Sequence, residues 1–280
     1  MRIRSFDQDK AILYLVATPI GNLEDMTFRA VQILKSVDKI YAEDTRTSLV
    51  LLKHFEITTK LESYHEFNQE LKSDQILKEL EQGMKLAVIS DAGLPVISDP
   101  GYKITKLAIE HEIAVSTIPG ASAGISALVA SGLAPMPYTF YGFLDAKKTK
   151  RIKELEDLKY LNHTLIFYEA PHRIEEMLFD MLSVFGNRQI VLARELTKTY
   201  EEFLRGSIEE VLKELPVKGE LVVLVEGFTE TGALGNPYQK IDELILLGYK
   251  PNEAIKEIAR QMKLNRSDLY KEYLEYKNKN

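Results

Sequence analysis

The sequence has no cysteine and no run of apolar residues long enough to cross a bilayer. Without cysteine there can be no disulfide, no thiolate metal site and no cysteine nucleophile, which fits a reducing compartment. A transmembrane helix needs about 18 successive apolar residues, and the longest apolar stretch, residues 121–134, is broken by serines and glycines. Residues 1–10 are charged, and no apolar segment follows them, so a signal peptide is not indicated. We therefore expect a cytoplasmic protein that does not enter the membrane.

Several common site motifs are also missing. The sequence has no P-loop, no GxGxxG, no HExxH and no CxxC, so neither a metal site nor a dinucleotide site is indicated. The net charge is −6, which argues against nucleic acid as a partner unless a local basic patch overrides it. A length of 280 residues, 45% of them hydrophobic, is enough for one large packed domain or two ordinary ones.

Strands and helices alternate over the first 118 residues. Apolar runs such as residues 86–89 alternate with segments of helical spacing such as 28–36 and 102–110, which is typical of βαβ units and a mostly parallel sheet. The following part has more strand and predicts a mixed sheet. Beyond a linker at residues 229–237, three short helices predict a tail that resembles a helix-turn-helix. The predicted α/β fold has two domains and a helical extension, at residues 11–119, 120–228 and 237–280.

Small or polar residues follow four predicted strands, at residues 18–22, 43–46, 90–93 and 119–122. Ligands of parallel sheets bind beyond the carboxyl ends of the strands, so a site is expected there. Asp91 is the strongest candidate, because its carboxylate can accept hydrogen bonds from a ligand amine or ribose while nearby glycines admit the ligand. Asp99, by contrast, precedes Pro100 and is interpreted as the N-cap of the next helix.

Other charged groups at strand ends are candidates for chemistry. Glu169, His172 and Arg173 fall at a predicted strand-to-helix junction, where the helix dipole disfavours cations, and this mismatch favours binding. For each candidate a structural role is the alternative, such as a solvated helix start for residues 43–46. The candidate catalytic residues are Glu43, Asp44, Arg46, His65, Glu169, His172, Arg173 and Lys198.

Two groups of basic residues are candidates for contact with RNA, although each could equally form a solvated helix face. The first group follows the predicted strand at residues 139–143 and consists of Lys147, Lys148, Lys150, Arg151 and Lys153. The second group lies in the tail and consists of Lys256, Arg260, Lys263, Arg266 and Lys271.

In their order along the chain, eight segments resemble the ribosomal RNA small subunit methyltransferase I family, which belongs to the tetrapyrrole-methylase class of S-adenosylmethionine enzymes. They cover nearly the whole chain and lie at residues 15–23, 43–46, 90–101, 119–123, 141–144, 169–173, 194–198 and 218–220. One departure follows Gly142-Phe143-Leu144, where the family has proline and a basic residue and this chain has Asp145 and Ala146.

The resemblance implies two α/β domains with the methyl donor S-adenosylmethionine between them, and a homodimer. It implies methylation of a cytidine 2′-hydroxyl in the decoding region of 16S rRNA, on the 30S subunit, and a tail like the family's helix-turn-helix extension. The donor site that it implies consists of Pro19, Ile20, Asp91, Val96, Ser122, Ala123, Tyr168, Leu196 and Gly219.

Sequence leaves the general base open among the carboxylates and histidines named above, and Lys198 or Arg173 could hold a phosphate. Two other functions stay possible at this point. One is methylation of a tetrapyrrole or other small acceptor on the same fold, which the tail and the basic group disfavour. The other is a non-catalytic regulator that binds nucleic acid through the tail, which the acidic net charge and the many polar strand ends disfavour.

Overall fold

The computed structural model describes residues 10–229, 236–262 and 264–279. The predictions for residues 1–9, for most of the linker and for Lys263 therefore lie outside the described residues. Within the described ranges, no helix has the length and apolar character to span a membrane.

The first sheet has five strands in the order β3-β2-β4-β1-β5, and all four pairings are parallel. Its strands are β1 (Ile12–Val16), β2 (Lys39–Ala42), β3 (Leu61–Ser63), β4 (Lys85–Ile89) and β5 (Ala114–Ile118). The helices between and after them are α1 (Phe28–Ser36), α2 (Thr45–His54), α3 (Gln69–Glu81), α4 (Tyr102–Glu110) and α5 (Ala123–Ser131). The parallel arrangement predicted from the sequence is confirmed.

Both faces of the first sheet are buried, as expected of a parallel sheet covered by helices. Ile12, Tyr14 and Val16 of β1 belong to one apolar cluster, and Leu13 belongs to another on the opposite face. Because side chains alternate along a strand, this division places helices on both faces. The short strand β3 and helix α5 were not predicted, since β3 has only three half-buried residues and α5 is interrupted by Gly124 and two serines.

The second sheet is mixed, as predicted, with the strand order β6-β7-β10-β8-β9. Its strands are β6 (Tyr138–Phe143), β7 (Thr164–Glu169), β8 (Gln189–Arg194), β9 (Glu202–Ser207) and β10 (Leu221–Val225). The helices are α6 (Lys148–Leu158), α7 (Ile174–Phe185) and α8 (Ile208–Lys213). Ser207 and Glu210 form the capping box that the sequence predicts at the start of α8.

The tail consists of the three predicted helices, α9 (Pro237–Leu246), α10 (Pro251–Gln261) and α11 (Arg266–Lys279). They bury a small apolar core of their own, in which Ile241, Ile255, Ile258 and Leu269 are almost fully inaccessible. Pro251 occupies the start of α10, where its missing N–H group has no helical partner to lose.

The described chain divides into two compact units. The first runs to Ser131 and also contains residues 193–203 and 218–222, and the second contains the remaining described residues. The domain boundaries that the sequence predicts stay predictions.

Candidate active site

Hydrogen bonds tie the loops after β1 and β4 to each other, and one more lies within the loop after β4. The Thr18 N–H donates to the Gly93 carbonyl at 2.9 Å, and the Gly93 N–H donates to the Thr18 carbonyl at 3.1 Å. The Thr18 hydroxyl donates to the Ser90 carbonyl at 3.1 Å, and the Ser90 hydroxyl to the Gly93 carbonyl at 2.9 Å. Neighbouring strand ends therefore form one fixed frame around Asp91.

Gly93 lies where three loops meet. Its φ of +81° is in the left-handed region, and a Cβ there would lie 3.3 Å from both the Ala121 carbonyl oxygen and Ile20 Cγ2. The segments containing Ile20, Gly93 and Ala121, which also carry the predicted donor residues Pro19, Ser122 and Ala123, thus converge on a surface made of backbone and small groups. Such a surface lets a ligand approach the main chain closely.

Val96 is held in an unfavourable backbone conformation. Its φ is +80°, which costs a β-branched residue about 1–3 kcal/mol and persists only where the surroundings enforce it. Gly101 makes room for it, since a Cβ at Gly101 would lie 2.7 Å from Val96 Cγ2. Strain of this kind concentrates at ligand sites, and Val96 is one of the residues for which a donor role is predicted.

Asp44 and Arg46 form a structural pair at the start of α2. The Asp44 carboxylate accepts the Arg46 N–H at 2.8 Å and pairs with the Arg46 guanidinium at 2.6 Å. Hydrogen bonds from Arg46 lower the pKa of Asp44 to about 2. The Asp44 N–H in turn donates to Asp91 Oδ1 at 3.2 Å. Asp44 therefore caps a helix and orients Asp91, and its own carboxylate is a poor proton acceptor.

Glu43 and Asp99 form a carboxyl pair beside Asp91. Burial, repulsion by Glu43 and a hydrogen bond between the two side chains raise the pKa of Asp99 to about 7. Partial desolvation and the charge of Asp44 also raise the pKa of Asp91, although the residue is exposed. The interpretation of Asp99 as an N-cap is wrong, because α4 begins at Tyr102 and its N-cap is Gly101, which has a φ of +141°. In the described part of the chain, no group of acidic or histidine side chains is arranged to hold a metal ion.

His65 is positioned by Asn68 just beyond β3. The Asn68 amide lies 3.2 Å from His65 Nε2, and the Asn68 carbonyl oxygen accepts the His65 N–H at 2.9 Å. The other ring nitrogen, Nδ1, is buried without a hydrogen-bond partner.

Lys198 lies in the loop after β8, and its side chain packs against Gly21 in the loop after β1. Its ammonium group contacts Glu195 at 2.9 Å and Glu220 at 3.1 Å. Burial alone would lower the pKa of Lys198, but these two hydrogen bonds and charges raise it. A Cβ at Gly21 would lie 2.6 Å from Lys198 Cγ, so glycine is required there. Lys198 is thus an ion-paired, charged group.

The same loop brings together two predicted donor residues. Leu196 is buried, and Glu195 and Thr197 on either side of it have φ values of +51° and +67°. Gly219 has a φ of +92°, and the space beside it is filled by the Glu195 side chain. Individual roles for Thr18 and Glu195 were not predicted, and Asp99 was interpreted as a helix cap, although the glycines around Asp91 were a usable signal for a site in this segment.

The predicted cluster at the end of β7 belongs to the second unit. Glu169 is buried, its Oε1 lies 3.3 Å from Arg173 Nε, and its Oε2 has no hydrogen-bond partner. Burial raises the pKa of Glu169. His172 is exposed, and α7 begins only at Ile174, so His172 and Arg173 precede the helix and do not occupy its first turn. Tyr168 packs edge to face against Phe140 and Phe143.

Arg151 was predicted to contact RNA, and this prediction is wrong. Its side chain is 1% exposed and pairs with Asp180 at 2.7 Å and Glu176 at 3.3 Å. A helix that packs on its neighbour must turn one of every three or four residues inward, and Arg151 occupies that position on α6. The lysines of the same group are exposed, as are the described tail residues Lys256, Arg260, Arg266 and Lys271.

Residues 12–212 match the family model "Tetrapyrrole (Corrin/Porphyrin) Methylases". The crystal structure of uroporphyrin-III-C-methyltransferase from Thermus thermophilus superposes with a TM-score of 0.56 at 17% identity, covering 78% of this chain and 94% of that one. This likeness supports the shared fold.

Two curated relatives are much more similar in sequence. Both are called ribosomal RNA small subunit methyltransferase I. The one from Halalkalibacterium halodurans is 48% identical and covers 95% of each chain. The one from Streptococcus pyogenes serotype M1 is 49% identical and covers 98% of this chain and 99% of its own. The chain belongs to the ribosomal RNA small subunit methyltransferase I family. The predicted family, the fold class and S-adenosylmethionine as cofactor are thereby confirmed.

Proposed function

We propose that the chain transfers a methyl group from S-adenosylmethionine to the 2′-hydroxyl of a cytidine in the decoding region of 16S rRNA, with the 30S subunit as substrate. This proposal rests on the surface where the segments containing Ile20, Gly93 and Ala121 meet, with Asp91 at its edge. It rests also on relatives that are named as rRNA methyltransferases. S-adenosylmethionine carries the methyl group on a sulfonium, and the group is transferred as the equivalent of a methyl cation.

The residues of the first unit fit the donor. Gly93 lets the segments containing Ile20 and Ala121 meet, because a Cβ at position 93 would lie 3.3 Å from each of them, and the donor would contact this small surface. Asp91 can accept hydrogen bonds from ribose hydroxyls or an amine, and its orientation is held by the Asp44 N–H. The other members of the proposed donor site in this unit are Pro19, Val96, Ser122, Ala123, Leu196 and Gly219. A donor role for Tyr168 stays a prediction from the family resemblance.

We propose Glu43 as the group that accepts the hydroxyl proton. A ribose hydroxyl is a weak nucleophile, and a general base contributes roughly 10²–10⁴-fold when its pKa suits the working pH. Glu43 is hydrogen-bonded to Asp99 beside Asp91, and burial together with Glu43 raises the pKa of Asp99 to about 7, so Asp99 can keep this hydrogen bond to Glu43 near neutral pH. Asp44 is engaged by Arg46, and Glu169 is buried beside Arg173, so both are less suited.

Methyl incorporation tests the function directly. With radiolabelled S-adenosylmethionine, 30S subunits from a strain lacking the gene should acquire one methyl group per subunit, and nuclease digestion with mass spectrometry should locate it on a cytidine ribose. Uroporphyrinogen serves as the competing acceptor. Methylation of the porphyrinoid alone would overturn the proposal, and binding to 30S without any transfer would favour a regulator.

Two substitutions separate donor binding from chemistry. Asp91→Ala should abolish or sharply weaken S-adenosylhomocysteine binding in calorimetry while the fold is kept, because Asp91 is exposed at a loop. Glu43→Gln should keep that binding and lower kcat by about 10²–10⁴-fold. Unchanged donor affinity in Asp91→Ala, or unchanged kcat in Glu43→Gln, would reject the respective role.

RNA engagement is proposed to be local, because the chain as a whole is acidic. Replacing Lys147, Lys148 and Lys150 with alanine should weaken binding to 30S and flatten its salt dependence, by roughly 0.7–0.9 logarithmic units for each phosphate that a lysine no longer neutralises. Replacing the tail residues Lys256 and Lys271 should act in the same way. Lines parallel to wild type in a plot of affinity against salt would show that neither group touches RNA.

We also propose that the enzyme acts in the cytoplasm as a homodimer, as the resemblance to its family implies. Sedimentation velocity on the full chain tests the second part. A single species with the mass of one chain, 31.9 kDa, at micromolar concentration would contradict it.

A further inference from the structure

An aromatic ring projects from the end of the edge strand of the second sheet. Phe143 is the last residue of β6, and its side chain is 55% exposed. The Phe143 ring packs edge to face against Tyr168, with ring centroids 5.6 Å apart and an angle of 65° between the ring planes. The Tyr168 ring also packs against Phe140, with ring centroids 5.0 Å apart, so Tyr168 contacts two aromatic residues of β6. Phe143 is therefore an exposed aromatic residue whose ring packs edge to face against a neighbouring aromatic side chain.

The chain that follows Phe143 is held by side chains at every residue up to α6. Arg173 donates to the Leu144 carbonyl at 2.9 Å, and Arg151 donates to the Ala146 carbonyl at 3.2 Å. The Asp145 N–H donates to Glu154 at 2.9 Å, and the Asp145 carboxylate accepts the Lys147 N–H at 2.7 Å. The two arginines are therefore positioning residues for this loop.

The loop leads directly from the ring to a group of exposed lysines. Lys147 and Lys153 are exposed and form no ion pair with any residue that the structure describes. Lys148 and Lys150 are 71% and 64% exposed; the Lys148 ammonium group lies 3.6 Å from Asp180, and that of Lys150 pairs with Asp145 at 3.2 Å. Positive charge thus lies within a few residues of the exposed ring, on a chain whose net charge is −6.

A ring beside cations on a rigid loop matches the chemistry of a single-stranded nucleic acid, in which bases stack on aromatic side chains while phosphates meet lysines. An apolar protein partner would not need the lysines, and a tetrapyrrole would not need a series of them along a helix. We propose that Phe143 stacks on an unpaired base of the RNA substrate and that Arg151 and Arg173 hold the loop that sets its distance from the lysines. This inference rests on the proposed RNA substrate and adds a residue that contacts a base of that RNA.

Tryptophan provides a direct readout, because the chain contains none. Phe143→Trp introduces a single indole at an exposed position that can hold it. Titration of the full-length variant with an unstructured cytidine oligonucleotide should quench its fluorescence, since stacking on a base quenches indole. Tyr160→Trp is the matched control, because Tyr160 is 69% exposed on the same unit at the other end of α6. It should show little quenching at equal concentrations.

Activity provides the second readout. Phe143→Ala should lower kcat/KM for 30S subunits by about 5- to 150-fold, the range expected for loss of one stacked base. Phe143→Trp should keep activity close to wild type, and neither change should affect S-adenosylhomocysteine affinity. The slope of affinity against salt should also be unchanged, unlike that of the lysine variants.

Three results would overturn the inference: equal quenching at positions 143 and 160, full activity in Phe143→Ala, or loss of donor affinity in that variant. If these occur while wild type still methylates 30S subunits, the proposed function stands and only the role of Phe143 fails. If wild type does not methylate 30S subunits, the proposed function fails whatever the fluorescence shows.

Discussion

The Glu43–Asp99 pair predicts that removing one carboxylate stabilises the protein, and only in part of the pH range. Burial and the neighbouring Glu43 raise the pKa of Asp99 from 3.8 to about 7. Asp99→Asn replaces the acid with a neutral amide of nearly the same shape, which can still donate a hydrogen bond to Glu43. The variant thus removes the ionised form that the folded state tolerates poorly.

The size and sign of the effect follow from linkage. Since one pH unit corresponds to about 1.4 kcal/mol, a folded pKa about three units above the unfolded one costs the native state about 4 kcal/mol. Asp99 is only partly shielded, and solvent screening reduces this to about 2 kcal/mol. Well below the unfolded pKa of 3.8 the carboxyl is protonated in both states and costs nothing. The cost grows as pH rises and is complete above about pH 7.

Urea unfolding at intervals from pH 3 to pH 8 measures this difference. Wild type and Asp99→Asn should have nearly equal free energies of unfolding at pH 3, and the variant should be more stable by about 2 kcal/mol at pH 8. Asp74→Asn, at an exposed position on α3, is the control and should leave the pH profile unchanged. Parallel profiles for wild type and Asp99→Asn would refute the raised pKa assigned to Asp99.

Two further substitutions test the frame of each unit. Gly93→Ala should destabilise the protein by about 1–2 kcal/mol because of its positive φ, and it should also weaken S-adenosylhomocysteine binding. Gly83→Ala, with a φ of +92° and nothing within 4 Å of its Cβ, should cost the same stability without affecting the ligand. Equal donor affinity in both variants would contradict a donor site at the surface around Gly93. Arg151→Met should cost about 3–5 kcal/mol in urea unfolding because it leaves Asp180 buried with only the exposed Lys148 beside it. Lys148→Ala should cost less than about 1 kcal/mol, and similar losses in both would mean that Arg151 is not a buried ion-pair partner.

Much of the fold was readable in the sequence because the signals are local. Helices α1 and α4 and strand β2 have the predicted bounds, since their apolar spacing repeats within a few residues. The expectation of a site at the strand ends follows from the parallel βαβ pattern alone, and the capping box at Ser207 depends on four consecutive residues. The family resemblance followed from the order of motifs along the chain.

Pairings between distant residues required the tertiary structure. Asp99 meets Glu43 across 56 positions of sequence, and no local rule distinguishes such a carboxylate from a helix cap. Arg151 looks like its lysine neighbours in sequence, yet Asp180 and Glu176 on α7 draw it inward. Whether a charge faces water or a partner depends on which helix packs against it, and that is decided by the sum of all core contacts and by no single segment.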